Sequence, residues 1–324
     1  MSDGPNDVAV IGAGAWGTAL AIHAARAGRR VALWARDPAR AAAMAAERIN
    51  PRLPGIRLPE AIRVTGAMPQ AGILLLTVPL QHLRGVLPGL PAAGIAVVCA
   101  KGMETGHLRL PLEILSETLP GRDACVLTGP NFAHEIAAGL PAAAVVAGTD
   151  AALRHAVIEV LGTPGLRLYG NDDPIGAQVG GAAKNVVAIA AGMVIGAGLG
   201  QNARAALVTR GLAELARLAV ALGGRAETMA GLSGMGDLLL TCTGAASRNY
   251  GLGLALGQGT PIAQAMAATQ AVIEGVATAP ALVARAVQLG VDLPICEAVA
   301  RIVTENMTID EAMRSLQSRP KRHE

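Results

Sequence analysis

The sequence predicts an α/β chain: a doubly wound, mostly parallel sheet followed by an all-helical half. Three observations predict this. Short apolar runs alternate with helical patterns from residue 7 to about residue 170. The first run ends in a glycine-rich turn. After residue 178 strand-like runs nearly vanish and helical periodicity dominates. Strand–helix alternation is how a parallel sheet with crossover helices is written in sequence. The expected domains are residues 1–178 and 179–324, joined without a Pro- or Ser-rich linker.

The strand candidates are DVAVIGAG (7–14), RVALWAR (30–36), GILLLTVP (72–79), GIAVVCAK (94–101), ACVLTGP (124–130) and AAAVVAG (142–148). Each is apolar on both faces and closed by Gly, Pro or a polar residue, as strands buried in a parallel sheet are. Ala-rich helical stretches fall between them at 15–27, 38–48 and 150–161. In the second half the periodicity predicts helices over 178–195, 203–222, 247–256, 261–268, 275–289, 294–304 and 308–317. Along 203–222, Arg210, Glu214 and Arg217 share a face at spacings of four and three. They read as an exposed, salt-bridged stripe.

Composition narrows the function classes. With 324 residues, 52% of them hydrophobic and 16% charged, the chain can fill two cores and is far from disorder. Phe132 is the one Phe, so Ala, Val and Leu carry the packing. The net charge of +3 is mild, and the only basic block is the tail residues Arg319, Lys321 and Arg322. Nothing here indicates nucleic acid, while a weakly positive surface suits a small anionic ligand. The four cysteines, 99, 125, 242 and 296, form no CxxC, and no histidine pair has ligand spacing. Buried thiols in a reducing compartment and no metal site are expected. The N-terminus lacks a charged region ahead of its apolar run and reads as a first strand. The longest uncharged apolar segment, Val186 to Gly200, is shorter than a bilayer requires. A cytoplasmic protein without membrane insertion is expected, and the apolar helical half fits a homodimer.

Gly12, Gly14 and Gly17 form GAGAWG between the first strand and the first helix. In that context the spacing points to a dinucleotide. The first glycine permits the tight turn, the second lets backbone approach a pyrophosphate, and the third lets helix pack on strand. The helix N-terminus then offers N–H groups to the phosphates. The second strand closes on Arg36 and Asp37. Arg36 can fork onto a 2′-phosphate, which favours NADP, or stand solvated. Asp37 keeps NAD open through a ribose hydroxyl, or simply caps the next helix. The first domain is thus the dinucleotide-binding one.

Ligands of open α/β sheets sit beyond the carboxyl ends of strands. Val78-Pro79, Lys101-Gly102 and Gly129-Pro130-Asn131 lie there. Lys101 can meet an anionic substrate or snorkel to water, and Asn131 can bind or cap. In the helical half, Lys184 and Asn185 stand in GGAAKNVVAIAAGMVIG with no other charge nearby. Reducing a ketone needs a hydride and a proton on oxygen. A buried lysine, its pKa lowered toward the working range, can supply that proton, and Asn185 can orient it or hold a hydroxyl. Asp237, a lone acid in GLSGMGDLLLTCTGAASRN, can tune the ammonium, cap residues 238–242, or both. Thr241 follows at i+4 on its face. Ser247, Arg248 and Asn249 can clamp a phosphate, with an ordinary cap and an exposed arginine as the alternative.

These stretches, together with NPRLPGIRLP, KGMET, LTGPNFAHEIAAGLP, QNARAALVTRGLAE and VIEGVATA, resemble the bacterial NAD(P)-dependent glycerol-3-phosphate dehydrogenases over almost the whole chain. The resemblance implies a Rossmann-type first domain and a helical substrate domain like the C-terminal domain of 6-phosphogluconate dehydrogenases. It implies reversible reduction of dihydroxyacetone phosphate to sn-glycerol 3-phosphate, for glycerophospholipid synthesis. By position, Lys184 falls on the family's proton donor/acceptor. Lys101, Gly129, Asn131, Asp237, Ser247, Arg248 and Asn249 fall on substrate positions. Ala15, Trp16, Arg36, Lys101, Ala133, Arg248, Val272 and Glu274 fall on cofactor positions. The chain departs from the common pattern at Ala15, Arg52 and Asn131, none of which removes a charged catalytic group.

Overall fold

The structure, a computed structural model, describes residues 6–244, 246–268, 272–305 and 307–320. Lys321 and Arg322 of the basic tail lie outside the described residues. The chain divides into two units: Met1–Lys101 with Leu110–Ala177, and Gly102–Arg109 with Gln178–Glu324. A short segment from among the strands, Gly102–Arg109, therefore belongs with the helical unit.

The first unit carries strands β1 (Asn6–Ile11), β2 (Val31–Trp34), β3 (Ile62–Thr65), β4 (Ala71–Leu76), β5 (Ile95–Val98), β6 (Ala124–Thr128), β7 (Ala142–Ala147) and β8 (Leu166–Asn171). Its helices are α1 (Ala15–Arg26), α2 (Pro38–Glu47), α3 (Leu83–Val86), α4 (Pro111–Thr118), α5 (Ala133–Ala138) and α6 (Ala151–Leu161). The strands form one sheet in the order β3-β2-β1-β4-β5-β6-β7-β8. β3 to β6 run parallel, β7 is antiparallel to β6, and β8 is parallel to β7. Val8 is registered between Val31 and Ile73, and Val10 between Leu33 and Leu75, so branched side chains stack across the sheet. These residues are buried, as two-sided apolar runs should be.

All six expected runs are strands. Two strands were not expected, and both are edges: β3 and β8 close the two ends of the sheet. IRVT and LRLYGN carry Arg63, Arg167 and Asn171, and both are partly exposed. An edge strand does not need apolar residues on both faces, so the pattern that found the others passes over them. The chain leaves β1 outward through β2 and β3, then returns to β1's other side with β4. That reversal is the switch point, where the segments after Ile11 and Leu76 lie side by side: Thr77 N donates to Ile11 O at 3.0 Å.

The second unit is helical: α7 (Pro174–Gly196, whose first residues belong to the first unit), α8 (Gly200–Ala221), α9 (Asp237–Thr243), α10 (Arg248–Gly257), α11 (Ile262–Ala267), α12 (Glu274–Gln288), α13 (Pro294–Glu305) and α14 (Ile309–Gln317). α7 is longer than the apolar segment read from sequence, and by length and hydropathy alone it could cross a membrane. Yet 89% of its most apolar window is buried inside the protein, as a core helix. α7 and α10 lie against each other with bare backbones in contact. A Cβ on Gly253 would sit 2.0 Å from Ile189 O, one on Gly257 2.4 Å from Met193 O, and one on Gly192 2.2 Å from Tyr250 O. A chain with 2% aromatic residues packs its core by close helix approach.

One expectation is overturned. Glu214 is not on an exposed stripe: it is 2% exposed. Its Oε1 accepts from Ile295 N at 2.7 Å and its Oε2 from Cys296 N at 3.2 Å, capping α13 from α8. Arg217 turns instead to the Asp292 carbonyl, donating from Nη2 at 2.9 Å. The four cysteines are free and buried. Burial pushes the Cys125 and Cys242 thiols up to about 12, so they stay protonated and inert.

Candidate active site

In the first unit, the site is the loop after β1. Gly14 N-caps α1 without any side-chain bond, and Thr18 N is the first to bond back, to Gly14 O at 3.0 Å. The N–H groups of the first turn, from Ala15 and Trp16 onward, are therefore left for a ligand. Gly17 is forced by contact. A Cβ there would lie 2.0 Å from Gly12 O and 2.3 Å from Thr77 Oγ1, which itself donates to Gly12 O at 2.8 Å. Around Gly14 there is open space: a Cβ would meet nothing within 4 Å. Trp16 Nε1 is a buried donor without a partner among the described residues. Bare N–H groups, an open glycine and an unsatisfied donor fit a phosphate-bearing dinucleotide.

Arg36 follows β2 and is exposed. Asp37 caps α2, accepting from Ala39 N at 2.9 Å and Arg40 N at 3.4 Å, so the capping alternative is realised. At the other strand ends, Lys101 Nζ donates to Gly129 O at 3.0 Å, which brings two expected substrate positions together. Asn131 does not cap α5, whose N-cap is Phe132. Its Nδ2 donates to Ala143 O at 3.1 Å, and its Oδ1 is buried without a partner among the described residues. Ala133 opens α5.

In the second unit, Lys184 lies on α7 at 8% exposure, and its Nζ donates to Asp237 Oδ1 at 2.5 Å. Asp237 is 0% exposed. A buried ammonium without its partner would be costly to hold. Asp237 does not cap residues 238–242: the N-cap of α9 is Gly236, without a side-chain bond, and Asp237 is the first helical residue, its carboxylate turned to Lys184, so the pairing reading holds and the capping one does not. Thr241 shares its face as expected, but its hydroxyl donates to the Asp237 carbonyl at 2.6 Å and braces the turn.

What brings the acid to the amine was not read from sequence. A π-helical turn, Leu232–Gly236, feeds directly into α9, and Gly236 N donates to Gly231 O at 3.1 Å, five residues back. Its Ser233 carbonyl lies against Gly180 of α7, where a Cβ would be 2.3 Å away. Gly180 is one turn before Lys184, and Ser233 one turn before Asp237. A bare helix surface at Gly180 thus sets the approach of the two charged groups. The available signal was a glycine inside a helical pattern, which usually has a packing reason.

Asn185 points its chemistry elsewhere than the lysine. Its Oδ1 accepts from Asn249 Nδ2 at 3.0 Å, and Asn249 Oδ1 accepts from Gly275 N at 3.0 Å. The α7–α10 contact sets this pair: Asn185 faces Asn249, as Ile189 faces Gly253 and Met193 faces Gly257. Ser247 caps α10, its Oγ accepting from Tyr250 N at 3.3 Å. Arg248 is exposed, with Nη1 donating to Val272 O at 3.0 Å, so two expected cofactor positions meet. Glu274 opens α12 next to Gly275. The second unit therefore gathers an ammonium–carboxylate pair, two buried amides and an exposed guanidinium beside a helix N-terminus: groups able to protonate a carbonyl, hold hydroxyls and bind an anion.

The family described as NAD-dependent glycerol-3-phosphate dehydrogenase N-terminus matches residues 7–154, and its C-terminus counterpart matches residues 173–314. The chain is 58% identical over 320 residues to a protein of Acidiphilium cryptum named glycerol-3-phosphate dehydrogenase (NAD(P)+), covering 98% of each chain. It is 52% identical over 319 residues to a Gluconobacter oxydans protein of the same name, covering 97% of each. The crystal structure of glycerol-3-phosphate dehydrogenase from Coxiella burnetii superposes with a TM-score of 0.91 at 37% identity, covering 97% of this chain and 99% of that one. By these matches over both of its halves, the chain belongs to the NAD-dependent glycerol-3-phosphate dehydrogenase family.

Proposed function

We propose that the chain interconverts dihydroxyacetone phosphate and sn-glycerol 3-phosphate with NAD(P)H, the product serving glycerophospholipid synthesis. The observation that carries this is the Lys184–Asp237 pair, a buried proton source in an otherwise uncharged helix. A nicotinamide held at the Gly12–Gly17 loop would supply the hydride. Lys184 gives the carbonyl oxygen its proton, and in the reverse direction takes it from the alcohol. Asp237 orients the ammonium, and Thr241 braces Asp237's turn. Asn185, its Oδ1 taken by Asn249, has Nδ2 to donate to a substrate oxygen. Arg248, Asn249 and the capped start of α10 at Ser247 bind the phosphate, and Lys101, Gly129 and Asn131 complete the substrate contacts. Anchoring a remote phosphate helps fix the carbonyl for attack.

The dinucleotide is held by Gly12, Gly14, Ala15, Trp16 and Gly17, with Arg36, Lys101, Ala133, Arg248, Val272 and Glu274 around it. In this reading residues 1–178 bind the dinucleotide and 179–324 carry the substrate chemistry, in a cytoplasmic homodimer. Arg36 at the end of β2 favours NADP: Arg36→Ala should lower the ratio of kcat/KM for NADPH over NADH. The deciding assay is NADPH oxidation by the purified protein on adding dihydroxyacetone phosphate. Turnover with the phosphate ester and little with dihydroxyacetone is expected. Equal rates would assign the chain to a reductase that ignores the phosphate.

A further inference from the structure

The NPRLPG segment is not explained by any role above, yet its first residue is among the most constrained polar groups of the first unit. Asn50 is 1% exposed. Its Nδ2 donates to Thr18 Oγ1 at 2.6 Å and to Ala13 O at 3.2 Å. Its Oδ1 accepts from Arg40 Nη2 at 3.0 Å and from Arg52 N at 3.1 Å. Every hydrogen-bonding valence of a primary amide is thereby used. Arg40 Nη2 also donates to Ala13 O at 2.6 Å, so one loop carbonyl receives two donors.

Ala13 stands between the first two glycines of GAGAWG. Its carbonyl and the Gly14 N–H belong to one planar trans peptide and point in opposite directions. Holding the carbonyl on Asn50 and Arg40 therefore turns the Gly14 N–H to the other side. On its Gly14 side that peptide has no side chain to limit its rotation, so bonds from outside the loop supply the restraint. We propose that Asn50 is a positioning residue of the dinucleotide loop: through Ala13 O and Thr18 it fixes the peptide whose N–H meets the pyrophosphate. Arg40 assists from α2. This rests on the reading that the Gly12–Gly17 loop holds the dinucleotide.

Pyrophosphate is common to both dinucleotides, so the consequence differs from that of Arg36. Asn50→Ala in the full chain should raise Kd for NADPH and for NADH by a similar factor, ~10-fold or more, in fluorescence titrations. At saturating cofactor, kcat and the KM for dihydroxyacetone phosphate should stay within about twofold of the unmodified protein. Kd values within twofold for both cofactors would overturn the proposal, as would a rise for NADPH alone. A fall in kcat at saturation equal to the rise in Kd would also overturn it, marking general disruption. If Asn50→Ala does not fold, Arg40→Met removes the second donor to Ala13 O and is read the same way: a parallel, smaller rise for both cofactors supports the proposal, and no change in either overturns it. Should the unmodified protein bind neither dinucleotide, the reading of the loop fails and the role of Asn50 falls with it; binding by the unmodified protein with no change in Asn50→Ala overturns the role of Asn50 alone.

Discussion

Lys184 Nζ and Asp237 Oδ1 are 2.5 Å apart, and the carboxylate has no contact with solvent. Removing the amine therefore does two separable things. Lys184→Ala should lower kcat by ~10²–10⁴, the range of general acid–base catalysis, while NADPH still binds. It also takes from a buried carboxylate the ammonium it pairs with, which should destabilise the fold by ~3–5 kcal/mol. Lys184→Ala combined with Asp237→Asn should recover much of the stability and none of the rate. Thermal melts and steady-state kinetics on these two variants and the unmodified protein separate the effects. A single mutant retaining near-normal kcat would remove Lys184 from the proton transfer.

The same geometry makes Gly180 a sensitive position, although it carries no chemistry. A methyl group there meets the Ser233 carbonyl at 2.3 Å, a backbone atom that cannot rotate away. The π turn must shift, and Asp237 follows one turn later. Gly180→Ala should therefore lower kcat by ~10²-fold, the order expected for displacements of about 1 Å at a reacting group. NADPH affinity, which the proposed reading rests chiefly on the Gly12–Gly17 loop, should change little. An unaltered kcat in a folded Gly180→Ala protein would show that the close approach does not set the pair.

Arg248 should act on phosphate recognition more than on turnover. Its guanidinium is exposed, lies at the start of α10, and is bonded to Val272 O at 3.0 Å. A charge-assisted bond contributes ~1.5–3 kcal/mol, so Arg248→Ala should raise KM for dihydroxyacetone phosphate by ~10- to 100-fold. Slow turnover of dihydroxyacetone, if measurable, should not change. Unchanged KM for the phosphate ester would leave Ser247-Arg248 as a helix cap and nothing more.

How much of this was legible follows from what each signal reports. GAGAWG and the two-sided apolar runs are local, and they located the sheet and its loop. Lys184 and Asp237 stood out because a charge among apolar residues demands a partner, and each is the other's. Asn185 and Asn249 could not be paired in advance, because their contact depends on how α7 and α10 meet at glycines. Asn50 likewise looks like a turn residue until Ala13, Thr18 and Arg40 are seen around it. The spacing of Glu214 with Arg210 and Arg217 points to the surface, but its other neighbours place it inside. Gly211, Leu215 and Leu218 are all buried, and Glu214 lies on their stripe. An acid on an apolar stripe signals a buried cap or pair, and here the N–H groups of α13 fill that role.

Glu214 also gives the fold a pH dependence that the other groups do not mimic. Burial pushes its carboxyl from the ordinary 4.5 up to about 7, with the N–H groups of Ile295 and Cys296 and the charge of Arg217 pulling the other way. Between those two pH values the native protein keeps a proton that the unfolded chain has released. Stability must then fall as pH rises through this window, by about 3 kcal/mol in all, and level off above it. His23 works in the opposite direction: buried against the Leu161 carbonyl at 2.7 Å, its pKa is lowered, and its contribution is lost as pH falls. The comparison with Glu214→Gln cancels that term. Glutamine keeps one acceptor for α13 and cannot titrate. Thermal melts from pH 5 to pH 8 should show the unmodified protein losing more stability than Glu214→Gln as pH rises, so that the two curves change their separation across the window. Parallel curves would mean that the Glu214 carboxyl is ionised throughout, and that the N–H groups of α13 outweigh its burial.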